Sequence, residues 1–299
     1  MPKVLLALLT GALLVCGSTP AQRSAFVVEQ LAVGKSLVVE HFRVPAGGYS
    51  LATTVVRPRG KGPYPVIVLN HGVGFDAAAR WRESPLLLLP AAEALASRGY
   101  AVAMPLRRGF GATGGEFAED PGSCSHPDFQ RAERAAAADV LAAYDFARTL
   151  PYADPQRMIL AGQSAGGVVS LYAATYSPPG LRAVLAFAAG RGADPLHPGV
   201  PCAPGGVAAV FEQMGRAVKV PVLLCYTQND LFFGPAIARS WYGRFEAAGG
   251  RADFRLEPAF RANGHYLFSD PAGVRVWMPV VLDFLRRHHI ALPIAKQRT

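Results

Sequence analysis

Hydrophobic residues along the chain form short unbroken runs that alternate with longer segments of helical periodicity. Near the start, two β-rich stretches flank Gly47-Gly48 and predict an antiparallel hairpin. Most later runs are apolar throughout and end in turn residues, which is typical of strands covered on both faces. The strand-like segments are SLVVEHFRVP, SLATTVVRP, YPVIVLNHG, AVAMPLRRG, RMILAG, LRAVLAFAAG, VPVLLCYTQND and ADFRLEPA.

Helical patterns separate these strands, the longest being the alanine-rich segment FQRAERAAAADVLAAYDFARTL, which Pro151 ends. Alternating strands and helices predict an α/β fold: a mostly parallel central sheet of about eight strands with helices on both faces. We find no repeat, linker or change of composition, so residues 22–299 are predicted to form one domain. In such sheets the ligand-binding and catalytic residues lie in the loops beyond the carboxyl ends of the strands.

The first 21 residues predict a secretory signal peptide. Lys3 precedes a short apolar run, and Thr19 and Ala21 occupy the small-residue positions before a cut at Gln22. A first strand or a buried helix is the alternative, and the residues before Cys16 fit a lipid anchor poorly. No later apolar run has the length of a membrane span. We therefore expect a secreted or periplasmic protein without a transmembrane segment.

Composition and charge narrow the function classes. The chain is 51% hydrophobic and 17% charged, as in a globular protein, and its net charge of +9 comes from dispersed basic residues. No basic helix interleaved with aromatic residues is present, so nucleic acid is not an expected partner. The sequence has no H-E-x-x-H metal motif, and no G-x-G-x-x-G opens the first central strand–helix unit. We expect neither a metal nor a cofactor.

Two cysteines lie in loops rich in proline and glycine. Cys124 is found in DPGSCSHPDF and Cys202 in HPGVPCAPGG. In an exported chain these two residues are candidates for a disulfide, and a pair of unbonded loop thiols is the alternative. Cys225 lies within an apolar strand and is interpreted as a core residue.

A serine between small residues is the strongest chemical signal. The pentapeptide GQSAG, residues 162–166, matches G-x-S-x-G where a strand gives way to a helix. On such a turn the Oγ of Ser164 points out of the sheet, and small residues on either side avoid steric clashes. A serine that only caps the helix is the alternative.

A nucleophilic serine needs a base, and the base needs a carboxylate to orient it. In this type of sheet the chain order is serine, acid, histidine. His265 follows the last strand, whereas His288 and His289 belong to the end of the terminal helix. Asp230 directly follows a strand and is the preferred acid, with Asp194 as the alternative.

A tetrahedral intermediate also needs backbone N–H donors. Ala165 supplies one by its position after the serine, and Val73, in the loop LNHGVG, is predicted to supply the second. Gly72 allows the backbone of this loop to approach the site. His71 precedes the serine in the chain, so we interpret it as a residue that organises the loop.

The segments NHGVG, LRRGFGATGG, GQSAGG, YTQND and NGHYLF follow one another between residues 70 and 268, and the likeness that they support covers about residues 36–289. In this order they resemble the α/β-hydrolase superfamily, and within it dienelactone-hydrolase-like and secreted esterase or peptidase-like members. The resemblance implies a triad of Ser164, Asp230 and His265 with an oxyanion hole formed by Val73 and Ala165. A dienelactone hydrolase has a cysteine nucleophile, so the serine favours ester or amide cleavage.

The glycine-rich loop RRGFGATGGEF resembles the loop that such enzymes place at the cleft mouth. Arg107 and Arg108, together with Gln163, are therefore candidates for substrate contact, and plain surface charge is the alternative for the arginines. Residues 191–219 leave room for a small lid at most, which favours small or accessible substrates.

The sequence thus predicts a serine hydrolase that cleaves a carboxylic ester of a small molecule. A peptidase, an acyltransferase and a perhydrolase use the same constellation. A binding protein that kept the fold without the activity is the hypothesis from another class.

Overall fold

The computed structural model describes residues 27–31, 36–194 and 196–290. The predicted signal peptide, residues 1–21, lies outside the described residues. A nine-stranded sheet forms the centre of the molecule. Its strands are β1 (Val27–Leu31), β2 (Leu37–Ala46), β3 (Tyr49–Pro58), β4 (Tyr64–Asn70), β5 (Ala101–Pro105), β6 (Ala153–Gln163), β7 (Leu181–Phe187), β8 (Val222–Thr227) and β9 (Ala252–Glu257).

The strand order is β1-β2-β3-β5-β4-β6-β7-β8-β9. The first four strands in this order pair antiparallel, and the remaining pairs are parallel. All eight predicted strands are present, and the hairpin of β2 and β3 turns at Gly47-Gly48. Strand β1 was not predicted; it adds to the antiparallel edge of the sheet.

In the described ranges the chain forms seven α-helices, and all but the first pack buried residues against the two faces of the sheet. They are α1 (Ala77–Trp81), α2 (Leu89–Ala96), α3 (Phe129–Arg148), α4 (Ala165–Ala174), α5 (Pro204–Ala217), α6 (Pro235–Ala247) and α7 (Val274–Arg287). Helices α3 to α6 contribute to one hydrophobic core, and α2 and α7 contribute to the core on the opposite face. These two cores explain why most strands are apolar throughout.

Helix α3 shows how the sequence pattern produces this packing. The Asp128 carboxylate accepts a hydrogen bond from the Arg131 amide and caps its N-terminus. Ala136, Val140 and Ala143 recur at helical spacing and are buried against the sheet. Across the described ranges, no helix is long and apolar enough to span a membrane.

The chain reverses its direction of progress across the sheet at β4, which lies between β5 and β6. Asn70 of β4 pairs with Gly162 of β6, so the loops that follow these two strands begin side by side. Such a switch point is where α/β sheets bind their ligands. The fold therefore brings together the loop with Val73 and the turn with Ser164.

The segment between β7 and β8 forms no separate lid domain. Its helix, α5, packs against α3 and α6 on one face of the sheet. The sequence expectation of a small or absent lid agrees with this arrangement.

Glu83, in the segment after α1, gives the fold a pH-dependent stability. Burial raises the pKa of its carboxyl group from 4.5 to about 6. The folded chain therefore holds this proton more tightly than the unfolded chain, and stability falls as the pH rises from about 4.5 to 6. We expect Glu83→Gln to raise the free energy of unfolding by about 1–2 kcal/mol at pH 8 and to have little effect at pH 4.

Urea denaturation at the two pH values measures this difference. Glu116→Gln is a matched control, because Glu116 is exposed and its replacement should change stability by less than about 0.5 kcal/mol at either pH. An equal effect of Glu83→Gln at pH 4 and pH 8 would contradict the assignment.

Candidate active site

Ser164 lies on a sharp turn between β6 and α4. Its backbone has φ 60° and ψ −128°, a conformation that residues with a side chain rarely adopt. A Cβ on Gly162 would lie 2.2 Å from the Gly166 carbonyl oxygen, and one on Gly166 would lie 2.1 Å from the Asn70 carbonyl oxygen. Neither position has room for any side chain. The G-x-S-x-G pattern is therefore the steric requirement of this turn.

The loop after β4 lies against the serine. A Cβ on Gly72 would be 3.3 Å from Ser164 Cβ, so the loop passes in tight contact with the serine. Within the described part of the chain, neither the Val73 amide nor the Ala165 amide donates a hydrogen bond. Both amides are therefore free to donate, and their role as an oxyanion hole stays a prediction.

His265 and Asp230 form a buried pair at the ends of neighbouring strands. His265 Nδ1 lies 3.0 Å from Asp230 Oδ2 and 3.2 Å from Oδ1. The amides of Phe232 and Phe233 donate to Asp230 Oδ1 at 2.8 and 2.9 Å. A carboxylate can only accept, so the imidazole donates from Nδ1 and keeps the Nε2 lone pair free.

Two amide side chains fix the position of the His265 loop. Asn263 Oδ1 accepts from the amides of His265 and Leu231, both at 3.0 Å, and so joins the loops after β8 and β9. Gln163 Nε2 donates to the His265 carbonyl oxygen at 2.6 Å. Gln163 is buried by this contact. The prediction that it faces substrate is therefore wrong, because its side chain holds the histidine loop beside the serine.

Two of the three predicted triad residues are in direct contact, and the third is connected to them through its neighbour in the chain. Asp230 is bonded to His265, and Gln163 links the turn of Ser164 to the loop of His265. Among the described residues, Ser164 Oγ makes no hydrogen bond. The alternative acid, Asp194, instead binds the exposed His197 at 2.6 Å.

Comparisons with known proteins identify the family of the chain. A model of the X-Pro dipeptidyl-peptidase (S15) family matches residues 47–214, which is more than half of the 299 residues. The chain belongs to the S15 peptidase family. The match includes the turn of Ser164 and ends before Asp230 and His265. No curated protein sequence matches this family member.

Solved structures show that this S15 family member has the α/β-hydrolase fold. An acetyl xylan esterase from Paenibacillus sp. R4 is 19% identical, with a TM-score of 0.61, over 92% of this chain and 90% of that one. A proposed dienelactone hydrolase from Klebsiella pneumoniae is 17% identical, with a TM-score of 0.53, over 85% of this chain and 100% of that one. The predicted superfamily and fold class are confirmed.

An acylaminoacyl peptidase from Pyrococcus horikoshii is 18% identical, with a TM-score of 0.59. The alignment covers 89% of this chain and 44% of the peptidase, so this family member spans less than half of that protein. Esterases and peptidases are thus both among the solved structures that have this fold. The S15 family member shares the α/β-hydrolase fold with both kinds of protein.

His71 holds the loop after β4 in one orientation. Its Nε2 accepts from the Arg107 backbone amide at 3.1 Å, which requires Nδ1 to carry the ring proton. Nδ1 then donates to the Gly72 carbonyl oxygen at 2.7 Å. Burial and the nearby Arg107 charge hold the pKa of His71 well below its ordinary value. This imidazole stays neutral, in agreement with its interpretation as a loop organiser.

The orientation of the Gly72 carbonyl decides where the Val73 amide points. The C=O and N–H of a trans peptide point in opposite directions. The Gly72 oxygen is held by His71 Nδ1 and, at 3.3 Å, by Arg107 Nη2. The Val73 N–H in the same peptide therefore points away from these two side chains.

Arg107 lies beneath this loop rather than in the cleft. Its side chain is fully buried, Nη1 donates to the His71 carbonyl oxygen at 2.9 Å, and Nε donates to Glu119 at 2.6 Å. The prediction that Arg107 contacts substrate is wrong, because the guanidinium group has no exposed surface. The sequence shows that residue 107 is charged, but it does not show that Glu119 pairs with it in the protein interior.

Arg107 is part of a buried network of four charges. Arg191 pairs with Glu119 and Glu133, so two arginines and two glutamates alternate. Burial would raise the pKa of Glu119, but the two arginines hold it below its ordinary value. Burial raises the pKa of Glu133, which pairs with Arg191. Sequence analysis missed Glu119, Glu133 and Arg191, since no motif marks them.

The candidate disulfide lies next to this network. The structure joins Cys124 and Cys202, whose Cα atoms are 5.6 Å apart. It links the segment that follows Glu119 to the segment that follows Arg191. Cys225 is buried and unbonded.

Arg108 is only half-buried, and its role in substrate contact stays a prediction. Its guanidinium group lies 4.6 Å from the centre of the Tyr49 ring. Its backbone amide donates to Asp139 at 2.6 Å.

In the described ranges, no group of histidine, cysteine and acidic residues is arranged to hold a metal ion.

Proposed function

We propose that the protein is a serine hydrolase that cleaves carboxylic esters through an acyl-enzyme on Ser164. The observation that carries the proposal is the strained turn of Ser164, which Gln163 links to the loop of the buried Asp230–His265 pair. Backbone strain at residue 164 costs stability, so a binding protein that had lost the activity would not be expected to retain it.

The mechanism follows from the hydrogen-bond roles. His265 Nε2 takes the proton of Ser164 as the serine oxygen attacks the ester carbonyl carbon. Asp230 accepts from Nδ1 and stabilises the imidazolium ion that forms. The imidazolium then gives its proton to the leaving alcohol. A water molecule, deprotonated by the same histidine, releases the acid and restores the serine.

The negative charge of the tetrahedral intermediate falls on the former carbonyl oxygen. The amides of Val73 and Ala165 are the donors for it. Ala165 is the first residue of α4, so the positive end of the helix dipole adds to this stabilisation. Hydrogen bonds that Arg107 and His71 donate to the Gly72 carbonyl polarise that peptide and strengthen the Val73 N–H as a donor.

Family membership makes peptide cleavage the second candidate. An enzyme that releases dipeptides from a free N-terminus has to bind an ammonium group, for which carboxylates are the natural partners. Here Asp230 is bonded to His265, and Glu119 is bonded to two arginines inside the protein. Three aromatic side chains, those of Phe232, Phe233 and Tyr266, pack against the His265 imidazole. These surroundings favour a neutral ester.

Intact-mass detection of a fluorophosphonate adduct tests the proposal. Wild type is expected to gain one adduct, and Ser164→Ala none. A panel of small esters and Gly-Pro-p-nitroanilide then separates the two reactions, with ester turnover expected. Labelling that persists in Ser164→Ala would place the nucleophile elsewhere. Turnover of the anilide alone would establish the peptidase.

We also propose that the protein is exported and works in an oxidising compartment. The Cys124–Cys202 bond supports this, since disulfides persist outside the reducing cytoplasm. N-terminal sequencing of the exported protein is expected to begin at Gln22. An intact N-terminus on protein retained in the cytoplasm would refute the proposal.

A further inference from the structure

Three aromatic side chains lie together beside the candidate site, although they come from three separate loops. Phe75 follows the loop of Val73, Phe232 follows Asp230, and Tyr266 follows His265. We name these three residues the aromatic ledge.

The aromatic ledge packs directly against the imidazole ring of His265. The Phe232 ring packs edge-on against His265, with 4.6 Å between ring centres, and the Tyr266 ring lies 5.6 Å from the same imidazole. Phe75 extends the cluster, since its ring is 5.3 Å from that of Phe232. Such edge-to-face contacts fix ring positions beyond what apolar contact alone provides.

Two of the three ledge residues are unusually exposed. Phe75 is 54% exposed and Tyr266 is 47% exposed. Leu231, which is also exposed, follows Asp230 in the same loop. Exposed apolar residues that cluster, rather than lie scattered, mark a binding surface. Here the cluster is continuous with the base of the proposed reaction.

The chemistry of the triad determines which part of an ester reaches the ledge. His265 donates its proton to the leaving oxygen, so the alcohol portion must lie on the side of the imidazole. The carbonyl oxygen is directed instead to the amides of Val73 and Ala165. A surface built on the imidazole therefore contacts the alcohol portion and not the acyl chain.

We propose that the aromatic ledge binds the leaving group, and that the preferred substrates are esters of hydrophobic, aromatic alcohols with small acids. This inference rests on the proposed function and specifies its substrate class. The ledge carries no charged side chain, so a neutral ring is the matching occupant.

Benzyl acetate and methyl phenylacetate provide a direct test, because they are isomers with the phenyl group on opposite sides of the ester. We expect kcat/KM for benzyl acetate to exceed that for methyl phenylacetate by roughly tenfold, the usual gain from seating one apolar group. Methyl acetate supplies the rate without any phenyl group.

Phe75→Ala removes the outermost ring of the ledge, which does not contact His265. We expect it to lower kcat/KM for benzyl acetate roughly five- to tenfold through KM, and to change the value for methyl phenylacetate less than about twofold. Phe75→Leu should restore part of the loss. Tyr176→Ala is the matched control, since Tyr176 is 52% exposed and follows the far end of α4 from Ser164.

The outcomes distinguish failure of the aromatic-ledge proposal from failure of the proposed hydrolase activity. The ledge proposal is wrong, although the protein is still a hydrolase, if the two isomers react at equal rates or if methyl phenylacetate is preferred. It is also wrong if Phe75→Ala and Tyr176→Ala lose equal activity. If wild type hydrolysed none of the three esters and Ser164 took up no fluorophosphonate, the proposed function itself would fail.

Discussion

Ser164→Ala and His265→Ala are each expected to lower kcat for an ester substrate by roughly five to six orders of magnitude. The reason is that the two residues act as one unit: the serine is a weak nucleophile without the base, and the base has no other proton to move. The double variant should therefore be no slower than either single variant. Steady-state kinetics of the three variants with one ester measures this.

Asp230→Asn is expected to lower kcat by about four orders of magnitude. An amide at this position offers an N–H to His265 Nδ1 and favours the wrong tautomer of the imidazole. Thermal denaturation serves as the control for all these variants, because a change of fold would also remove activity.

For the double variant of Ser164 and His265, additive losses of kcat would show that the two residues do not act together.

The turn that carries Ser164 could be predicted from the sequence because its steric requirement involves only neighbouring residues of the chain. A Cβ at residue 162 or residue 166 would collide with backbone oxygens, so only small residues fit there. Strand ends could be recognised from unbroken apolar runs, which located Asp230, His265 and the loop of Val73. Chain order in a parallel sheet then limited which of these loops meet.

The buried charges beneath that loop could not be predicted in the same way. Arg107 and Glu119 are 12 residues apart, but Arg191 reaches Glu119 across 72 residues. Such partners are fixed by the tertiary fold, and a charged residue in a glycine-rich loop is typical of the surface. Edge strand β1 was missed for a similar reason, because its pairing depends on β2 and not on its own pattern.

The same contrast explains the error over Gln163. Its position beside the serine suggested the cleft, but a side chain at the last position of a strand can equally reach a neighbouring loop. Here it reaches the His265 carbonyl oxygen, 102 residues further along the chain. Residues that support the site and residues that contact substrate share one stretch of sequence, and only the contacts in the fold distinguish them.

Arg107→Met is expected to lower the free energy of unfolding by about 3–5 kcal/mol, the usual cost of removing one partner of a buried ion pair. The substitution leaves Glu119 with Arg191 as its sole partner and takes a hydrogen-bond donor from the carbonyl oxygens of both His71 and Gly72. Urea denaturation measures the loss. A change below about 1 kcal/mol would show that the network does not stabilise the fold.

The double variant Arg107→Met with Glu119→Gln separates stability from catalysis. It removes one charge of each sign, so much of the lost stability should return, because Arg191 no longer faces two carboxylates and the excess negative charge is gone. The carbonyl of Gly72 still lacks the guanidinium, and the Val73 amide remains a weaker and less constrained donor. We therefore expect kcat to stay roughly tenfold below wild type, with KM little changed, since the oxyanion forms only after binding. Recovery of kcat together with stability would assign Arg107 a purely structural role.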